Sequence, residues 1–136
     1  MVEGIRNKTL ALMLFSSPYR SQYADHLCHI AEKAMEKGYN VEIFLYGDGV
    51  HAQMNNQTPK TFFNVGESLK RLAEKGALIK SCLICSQARG YIEGDFDEKL
   101  GKYPSSKALN TVEFCTIYGF VDMILKADKL LTFGSS

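Results

Sequence analysis

Two cysteines stand three residues apart in the stretch KSCLICSQARGY, which covers residues 80–91. Cys82 and Cys85 follow an apolar run and precede Gly90. Two thiols at this spacing suit four roles: half of a metal site, a dithiol redox pair, a persulfide carrier, or burial as small apolar side chains. The secondary structure around these thiols is needed to choose among the four roles.

The other cysteines and histidines do not complete a metal site. Structural zinc needs four ligands, usually two Cys-x-x-Cys pairs or cysteine together with histidine. Only Cys28, Cys115 and three histidines remain, and none has a matching spacing. We therefore expect no metal. A dithiol oxidoreductase remains an alternative, although a thioredoxin-type pair usually follows the first strand of a βαβ unit.

Short apolar runs predict the strands. They are bounded by turn residues and cover residues 8–15, 39–46, 77–84 and 128–133. The Cys-x-x-Cys stretch thus comes at the end of the third predicted strand. The polar segments 47–62 and 94–106 predict long loops, which are often functional or packed against a partner.

The segments between these apolar runs show the periodicity of amphipathic helices. One helix is predicted to end at Gly38, and another covers Asn64 to Lys75 with Gly76 as its stop. A short helix is predicted over Cys85 to Gly90. The last helix carries an apolar stripe made of Phe114, Ile117, Tyr118, Val121, Ile124 and Leu125.

This alternation predicts a single α/β domain over residues 1–136. We expect a largely parallel sheet of four to five strands, with helices on both faces. In such sheets, ligands and chemistry gather at the carboxyl ends of the strands. The loops after the first three strands are therefore the candidate site.

Cys82 ends the third predicted strand, and Cys85 lies one turn into the helix that follows. A helix N-terminus offers free N–H groups and a partial positive charge, which can lower a thiol pKa by about one unit or more. Arg89 adds a nearby positive charge. We predict Cys82 as the nucleophile and expect Tyr19, Tyr46 and His51 to line the approach to it.

The remaining cysteines and histidines have less specific patterns. Cys28 shares the inward stripe of the first helix, which predicts a core position. Cys115 lies off the apolar stripe of the last helix, so we expect it to be partly exposed. His26 and His29 fall on the polar face of the first helix and should be solvated.

Charge and hydropathy exclude several classes of function. The chain has 136 residues and a formal charge of +1, without a basic run, so nucleic-acid binding has no electrostatic footprint. The apolar run from Leu10 to Phe15 is too short for a membrane span or a signal sequence. No phosphate-binding glycine motif is present. We expect a cytoplasmic protein with reduced cysteines.

Four stretches resemble the DsrE/DsrF-like family, which includes TusD-like sulfur-relay proteins. LMLFSSPYRSQYADHLCHIAEKAMEKGYNV is similar to its first strand, loop and helix, and EIFLYGDGVHAQMNNQTP to its second strand and loop. IKSCLICSQARGY resembles the segment in which a cysteine precedes the glycine of an Arg-Gly pair by eight positions, which points to Cys82. FVDMILKADKLLTF resembles the closing helix and strand.

The resemblance implies a sulfur carrier or sulfurtransferase. Such a protein takes sulfane sulfur from a donor protein as a persulfide on Cys82 and passes it to an acceptor protein. The resemblance also implies a homo-oligomer, a trimer or hexamer, and no organic cofactor is needed for thiol exchange. Cys85 departs from the TusD pattern and is a possible resolving thiol. The alternatives are an oligomeric module with inert cysteines and a dithiol oxidoreductase using Cys82 and Cys85.

Overall fold

Five parallel strands form one sheet in the computed structural model, which describes residues 8–134. The strands are β1 (Thr9–Leu14), β2 (Asn40–Leu45), β3 (Leu78–Cys82), β4 (Val112–Cys115) and β5 (Lys129–Phe133). The α-helices are α1 (Tyr23–Glu36), α2 (Val65–Glu74), α3 (Leu83–Ala88) and α4 (Ile117–Lys126), with a 3-10 helix at Gly47–Gln53. The predicted α/β class and parallel sheet are confirmed.

The strand order is β4-β3-β2-β1-β5, and every pairing is parallel. The chain therefore adds strands in one direction from β1 to β4 and then returns to the other side of β1. Crossovers between parallel strands are right-handed, so a reversal of direction moves the connecting helix to the opposite face. This rule places α4 on the face opposite to α1 and α2.

Side-chain alternation divides the sheet into two unequal faces. Ile43, Leu45 and Ile79 point to one face and are almost fully buried; α1 and α2, which pack against each other and the sheet, cover this side. Phe44 points to the other face and stacks on Phe120 of α4, with ring centroids 4.7 Å apart. Among the helices of residues 8–134, α4 is therefore the one that covers the second face.

Local signals set the ends of the first two long helices. The backbone of Gly38, which follows the C-cap residue of α1, has a φ of +97°, and that of Gly76, which follows the C-cap residue of α2, has a φ of +110°. Glycine adopts this left-handed conformation without a steric penalty, so both predicted stops are confirmed. At the start of α2, the Asn64 side chain accepts a hydrogen bond from the Glu67 N–H at 2.9 Å.

Two sequence predictions were wrong in this region of the sheet. Segment 47–62 was predicted as a loop, but it begins with the 3-10 helix, whose Val50 and Ala52 are buried. Phe114 was predicted in the last helix, but it lies in β4, and so does Cys115. The run Val112–Cys115 contains β-branched and aromatic residues typical of a strand, and α4 begins only at Ile117.

The apolar stripe of α4 faces outward. Met123 is the buried residue of this helix, whereas Tyr118 and Leu125 are each 78% exposed. Other apolar side chains on α4 and β5 are also exposed: Ile117, Val121, Ile124, Leu130 and Leu131. Within residues 8–134, no helix is long and apolar enough to cross a membrane.

Candidate functional site

Cys82 lies at the junction of β3 and α3. It is the last residue of the strand and the N-cap residue of the helix. Its sulfur accepts a hydrogen bond from the backbone N–H of Cys85 at 3.4 Å. An N-cap side chain normally supplies an oxygen for this purpose, and here a sulfur takes the place of that oxygen. The predicted position of both cysteines relative to the helix is therefore present.

The pKa of Cys82 moves in the direction opposite to the sequence prediction. The side chain is only 5% exposed, and desolvation by burial raises the pKa of the thiol. The backbone N–H of Cys85 lowers this pKa, but the nearby Cys85 thiol raises it further. The predicted lowering was wrong because it counted the helix N-terminus and omitted the cost of burying a charge.

Cys85 is more exposed than Cys82 and touches the 3-10 helix. Its sulfur accepts a hydrogen bond from the backbone N–H of Gly47 at 3.3 Å, and its side chain is partly exposed. Gly47 has a φ of +59°, a conformation that glycine adopts freely. The second strand thus reaches the cysteine pair through the first residue of the 3-10 helix.

Arg89 joins α3 to the same 3-10 helix. Its Nε and Nη2 atoms donate to Oδ1 of Asp48 at 3.1 and 2.8 Å, and Nη1 donates to the carbonyl of Cys85 at 3.1 Å. The Arg89 guanidinium lowers the pKa of the Asp48 carboxyl. Because Asp48 pairs with the guanidinium, Arg89 serves mainly to hold the two helices together and does not act as the predicted free charge beside Cys82.

An open cavity of about 670 Å³ lies at the carboxyl ends of β1 and β2. Tyr46 and Gly47 line it, whereas Cys82 and Cys85 do not, so the place of Tyr46 on the approach to Cys82 stays a prediction. Arg20 and Arg89 contribute positive charge to its walls and Asp48 contributes negative charge. The remaining lining residues are Phe15, Ser16, Ser17, Ser21 and Tyr23.

Tyr19 lies in the loop after β1 and hydrogen-bonds to the segment that precedes α2 and to the first residue of α2. Its hydroxyl donates to Oε1 of Gln57 at 2.6 Å and accepts from the backbone N–H of Val65 at 3.3 Å. Its backbone has a φ of +71°, which is uncommon outside glycine. These contacts tie Tyr19 to the start of α2 and none of them reaches Cys82 or Cys85, so its place on the approach to the cysteines stays a prediction.

His51 contacts Tyr91, three residues after the end of α3. Its Nδ1 lies 2.7 Å from the hydroxyl of Tyr91, which is buried. Burial raises the pKa of the Tyr91 hydroxyl. His51 therefore braces the segment after α3, and its predicted role in lining the approach to the sulfur has no direct contact to support it.

A buried polar chain lies behind the cysteine segment. Nε2 of Gln53 donates to Oγ of Ser86 at 3.0 Å, and the hydroxyls of Ser86 and Ser81 are 3.1 Å apart. All three side chains are fully buried or nearly so. Buried hydrogen bonds of this kind specify one arrangement of the packed elements, so they help to hold β3, α3 and the 3-10 helix in register.

Cys115 is the residue that the sequence interpretation placed in the wrong element. It ends β4, and in the parallel pairing of β3 and β4 it is the register partner of Cys82. It is partly exposed, as predicted, while Cys28 is buried in the core, as predicted. Strand propensity in residues 112–115 was the signal that could have found it.

The described residues, 8–134, contain no group of three or more histidine, cysteine, aspartate or glutamate side chains that could hold a metal ion. Three cysteines nevertheless meet at one end of the sheet: Cys82 and Cys115 at adjacent strand ends, and Cys85 one helical turn further on. This arrangement can perform thiol chemistry at a sheet edge, with two helix N-termini close by.

In sequence, this chain is similar to proteins of about the same length. It is 31% identical over 131 residues to the uncharacterized protein MK0008 of Methanopyrus kandleri, covering 96% of this chain and 97% of that protein. It is 29% identical to "Putative sulfurtransferase DsrE" of Allochromatium vinosum, covering 91% of this chain and 97% of that protein.

The fold has a counterpart among solved structures. The crystal structure of the YchN protein of E. coli superposes with a TM-score of 0.79 at 23% identity, covering 93% of this chain and 99% of that one. The sequence profile of the DsrE/DsrF-like family matches residues 8–133, which is almost the whole chain. With its parallel sheet and its cysteine at the end of β3, this chain belongs to the DsrE/DsrF-like family.

Proposed function

We propose that this protein is a sulfur carrier or sulfurtransferase that accepts sulfane sulfur as a persulfide on Cys82. The observation that carries the proposal is the position of Cys82, whose sulfur accepts the Cys85 N–H at 3.4 Å where β3 meets α3. Membership of the DsrE/DsrF-like family supports it, as does the similarity to a relative named as a sulfurtransferase.

The chemistry is an exchange at sulfur that needs no cofactor. The Cys82 thiolate attacks the outer sulfur of a donor persulfide, a new S–S bond forms, and the donor leaves as a thiolate. The acceptor thiolate then attacks the outer sulfur of the Cys82 persulfide, and Cys82 leaves as a thiolate. Sulfur donor and acceptor proteins are therefore the proposed partners.

Burial of Cys82 suits a carrier that has to wait between partners. Desolvation raises the pKa of the unloaded thiol, so at neutral pH most of it is protonated. The thiolate is the form that reacts with oxidants and electrophiles. A buried, protonated Cys82 therefore resists unwanted oxidation until a partner docks and supplies sulfur at the edge of the sheet.

A dithiol oxidoreductase is the second candidate, because the Cys85 thiol lies beside the Cys82 thiol and influences its pKa. Such an enzyme would need both cysteines for turnover, whereas a carrier would need only Cys82 for loading. Cys85→Ser separates the two functions. It should abolish dithiol oxidoreductase turnover and leave sulfur loading intact.

The experiment that tests the carrier function is an intact mass measurement after incubation with a persulfide or thiosulfonate donor. We expect one added sulfur atom, mapped to Cys82 by peptide analysis and absent from Cys82→Ser. Cys28→Ser is the matched control, because Cys28 is a buried core thiol away from the sheet edge. Undiminished loading of Cys82→Ser would refute the proposal.

We further propose that the chain forms a homo-oligomer, a trimer or hexamer, through the exposed apolar surface of α4 and β5. Tyr118 and Leu125 are each 78% exposed on that surface, and β5 is an edge strand. Contiguous exposed apolar surface of this kind marks interaction sites. The predicted loop at residues 47–62, with Phe62 and Phe63 at its end, was also a candidate contact surface. It offers less exposed apolar area, because Phe63 packs on His29 with ring centroids 4.6 Å apart, although Phe62 is exposed.

A further inference from the structure

Cys82 and Cys115 are register partners at the carboxyl ends of adjacent parallel strands. Neighbouring strands lie about 4.8 Å apart, and disulfides form between residues whose Cα atoms are roughly 4.4 to 6.8 Å apart. Paired residues of a parallel ladder also point to the same face of the sheet. The backbone thus holds the Cα atoms of these two cysteines within the range that disulfides span.

Each of the two cysteines comes immediately before a helix. Cys82 is the N-cap residue of α3, and Cys115 directly precedes Thr116, the N-cap residue of α4. The sulfur of Cys115 lies against Gly119 of α4, where a Cβ on the glycine would be 2.8 Å from it. Because Gly119 has no side chain, the Cys115 sulfur has room to sit beneath the first turn of α4.

Cys85 and Cys115 differ in how their sulfurs are held. The Cys85 sulfur accepts the Gly47 N–H on the side of the 3-10 helix. In the described part of the chain, no hydrogen bond engages the sulfur of Cys115. An unengaged thiol can turn towards Cys82 without losing a hydrogen bond, whereas Cys85 would have to leave Gly47.

We propose that Cys115 is the thiol that attacks sulfur bound to Cys82, closing a Cys82–Cys115 disulfide across β3 and β4. On the persulfide, which rests on the function proposed above, the Cys115 thiolate attacks the inner sulfur. The Cys82–Cys115 bond forms, the bond to the outer sulfur breaks, and hydrosulfide leaves with the electron pair. The two thiols are oxidised, the sulfane sulfur is reduced, and an external dithiol restores the free cysteines.

The surroundings of Cys115 make this reaction slow at neutral pH. Burial raises the pKa of the Cys115 thiol to about 11. Lys80 lowers this pKa, while Glu113 and Cys82 raise it. A loaded Cys82 therefore persists long enough to meet an acceptor, and Cys115 clears sulfur that no acceptor has taken.

The test uses an artificial leaving group on Cys82, so it does not depend on sulfur loading. The Cys85→Ser protein is treated with the aromatic disulfide DTNB, excess reagent is removed, and release of thionitrobenzoate is followed by absorbance. Attack by Cys115 on the Cys82 mixed disulfide expels the second thionitrobenzoate. We expect peptide mapping to find Cys82 joined to Cys115.

The matched control is Cys85→Ser combined with Cys115→Ser. It should keep the mixed disulfide roughly tenfold longer or more, because it lacks a thiol already positioned for attack. Cys115→Ala in the same background checks that the effect does not come from the introduced hydroxyl, and circular dichroism checks that each variant is folded.

Equal release rates with and without Cys115, or a mixed disulfide on a cysteine other than Cys82, would overturn the proposal. The outcome is separable from that of the carrier function. Formation of the Cys82–Cys115 bond in a protein that never loads sulfur would reject the carrier function alone. If Cys82 loads sulfur but Cys115 never attacks the Cys82 mixed disulfide, the proposed reaction between Cys82 and Cys115 alone would be rejected.

Discussion

The sulfur of Cys82 accepts the backbone N–H of Cys85 at 3.4 Å, although burial leaves the Cys82 side chain only 5% exposed. The hydrogen bond favours the thiolate and the burial favours the thiol. Burial has the larger effect, so the pKa of Cys82 is raised. The site thus combines a ready anion-binding position with a thiol that stays protonated at rest.

The rate of Cys82 alkylation should continue to rise with pH beyond the pKa of an ordinary thiol, about 8.5. The physical reason is that iodoacetamide reacts with the thiolate, whose fraction grows until the raised pKa is passed. Peptide mapping after short labelling times at each pH gives the rate for Cys82. A rate that is already constant at neutral pH would mean that the helix N-terminus outweighs burial.

Cys28 should make the free energy of unfolding depend on pH in the alkaline range. Burial raises the pKa of this core thiol to about 11. A raised pKa gives stability that is complete below the unfolded pKa of about 8.5 to 9 and is lost as pH rises through 11. The loss reaches about 3 kcal/mol.

Urea denaturation at several pH values measures this loss. Cys28→Ala should remove the Cys28 part of the pH dependence, while costing about 1 kcal/mol at neutral pH for the lost packing. Cys115 stays in both proteins, so its own titration cancels in the comparison. Identical pH profiles for wild type and Cys28→Ala would contradict the prediction.

Gly49→Ala should destabilise the protein far more than Gly47→Ala, although only Asp48 separates the two glycines in the 3-10 helix. A Cβ on Gly49 would collide with the backbone carbonyl of Leu14, whereas nothing lies within 4 Å of a Cβ on Gly47. We expect about 3 kcal/mol for the overpacked site. The φ of +59° at Gly47 should cost about 1 to 2 kcal/mol. Urea denaturation of both variants measures their free energies of unfolding. Equal losses of stability would show that a small backbone shift relieves the collision at Gly49.

Leu125→Asp should convert the proposed oligomer to a smaller species. Leu125 is 78% exposed on α4, and a buried, unpaired charge at an apolar interface is strongly unfavourable. Leu100→Asp is the control, since Leu100 is 67% exposed but lies in the loop between α3 and β4. Light scattering at micromolar concentration gives the masses. A wild-type monomer would reject the oligomer, and equal effects of both substitutions would reject α4 as its surface.

Local sequence was sufficient for the fold class and for the position of Cys82. Apolar runs and helical stripes depend on residues that are near one another in the chain, and so does the end of a strand before a helix. The Cys-x-x-Cys pair before Arg89 and Gly90 therefore located the junction of β3 and α3 without any knowledge of packing. The sequence did not predict β4 or its pairing with β3, because a strand of only four residues carries a weak local signal.

Tertiary structure alone determined what surrounds that cysteine. Strand order brought Cys115 into register with Cys82, although the two are far apart in the chain. Packing buried Cys82 and so reversed the expected direction of its pKa, because desolvation depends on neighbours that a local pattern does not contain. The same reasoning applies to α4: periodicity revealed an apolar stripe, but only the completed sheet showed that the stripe points away from the core.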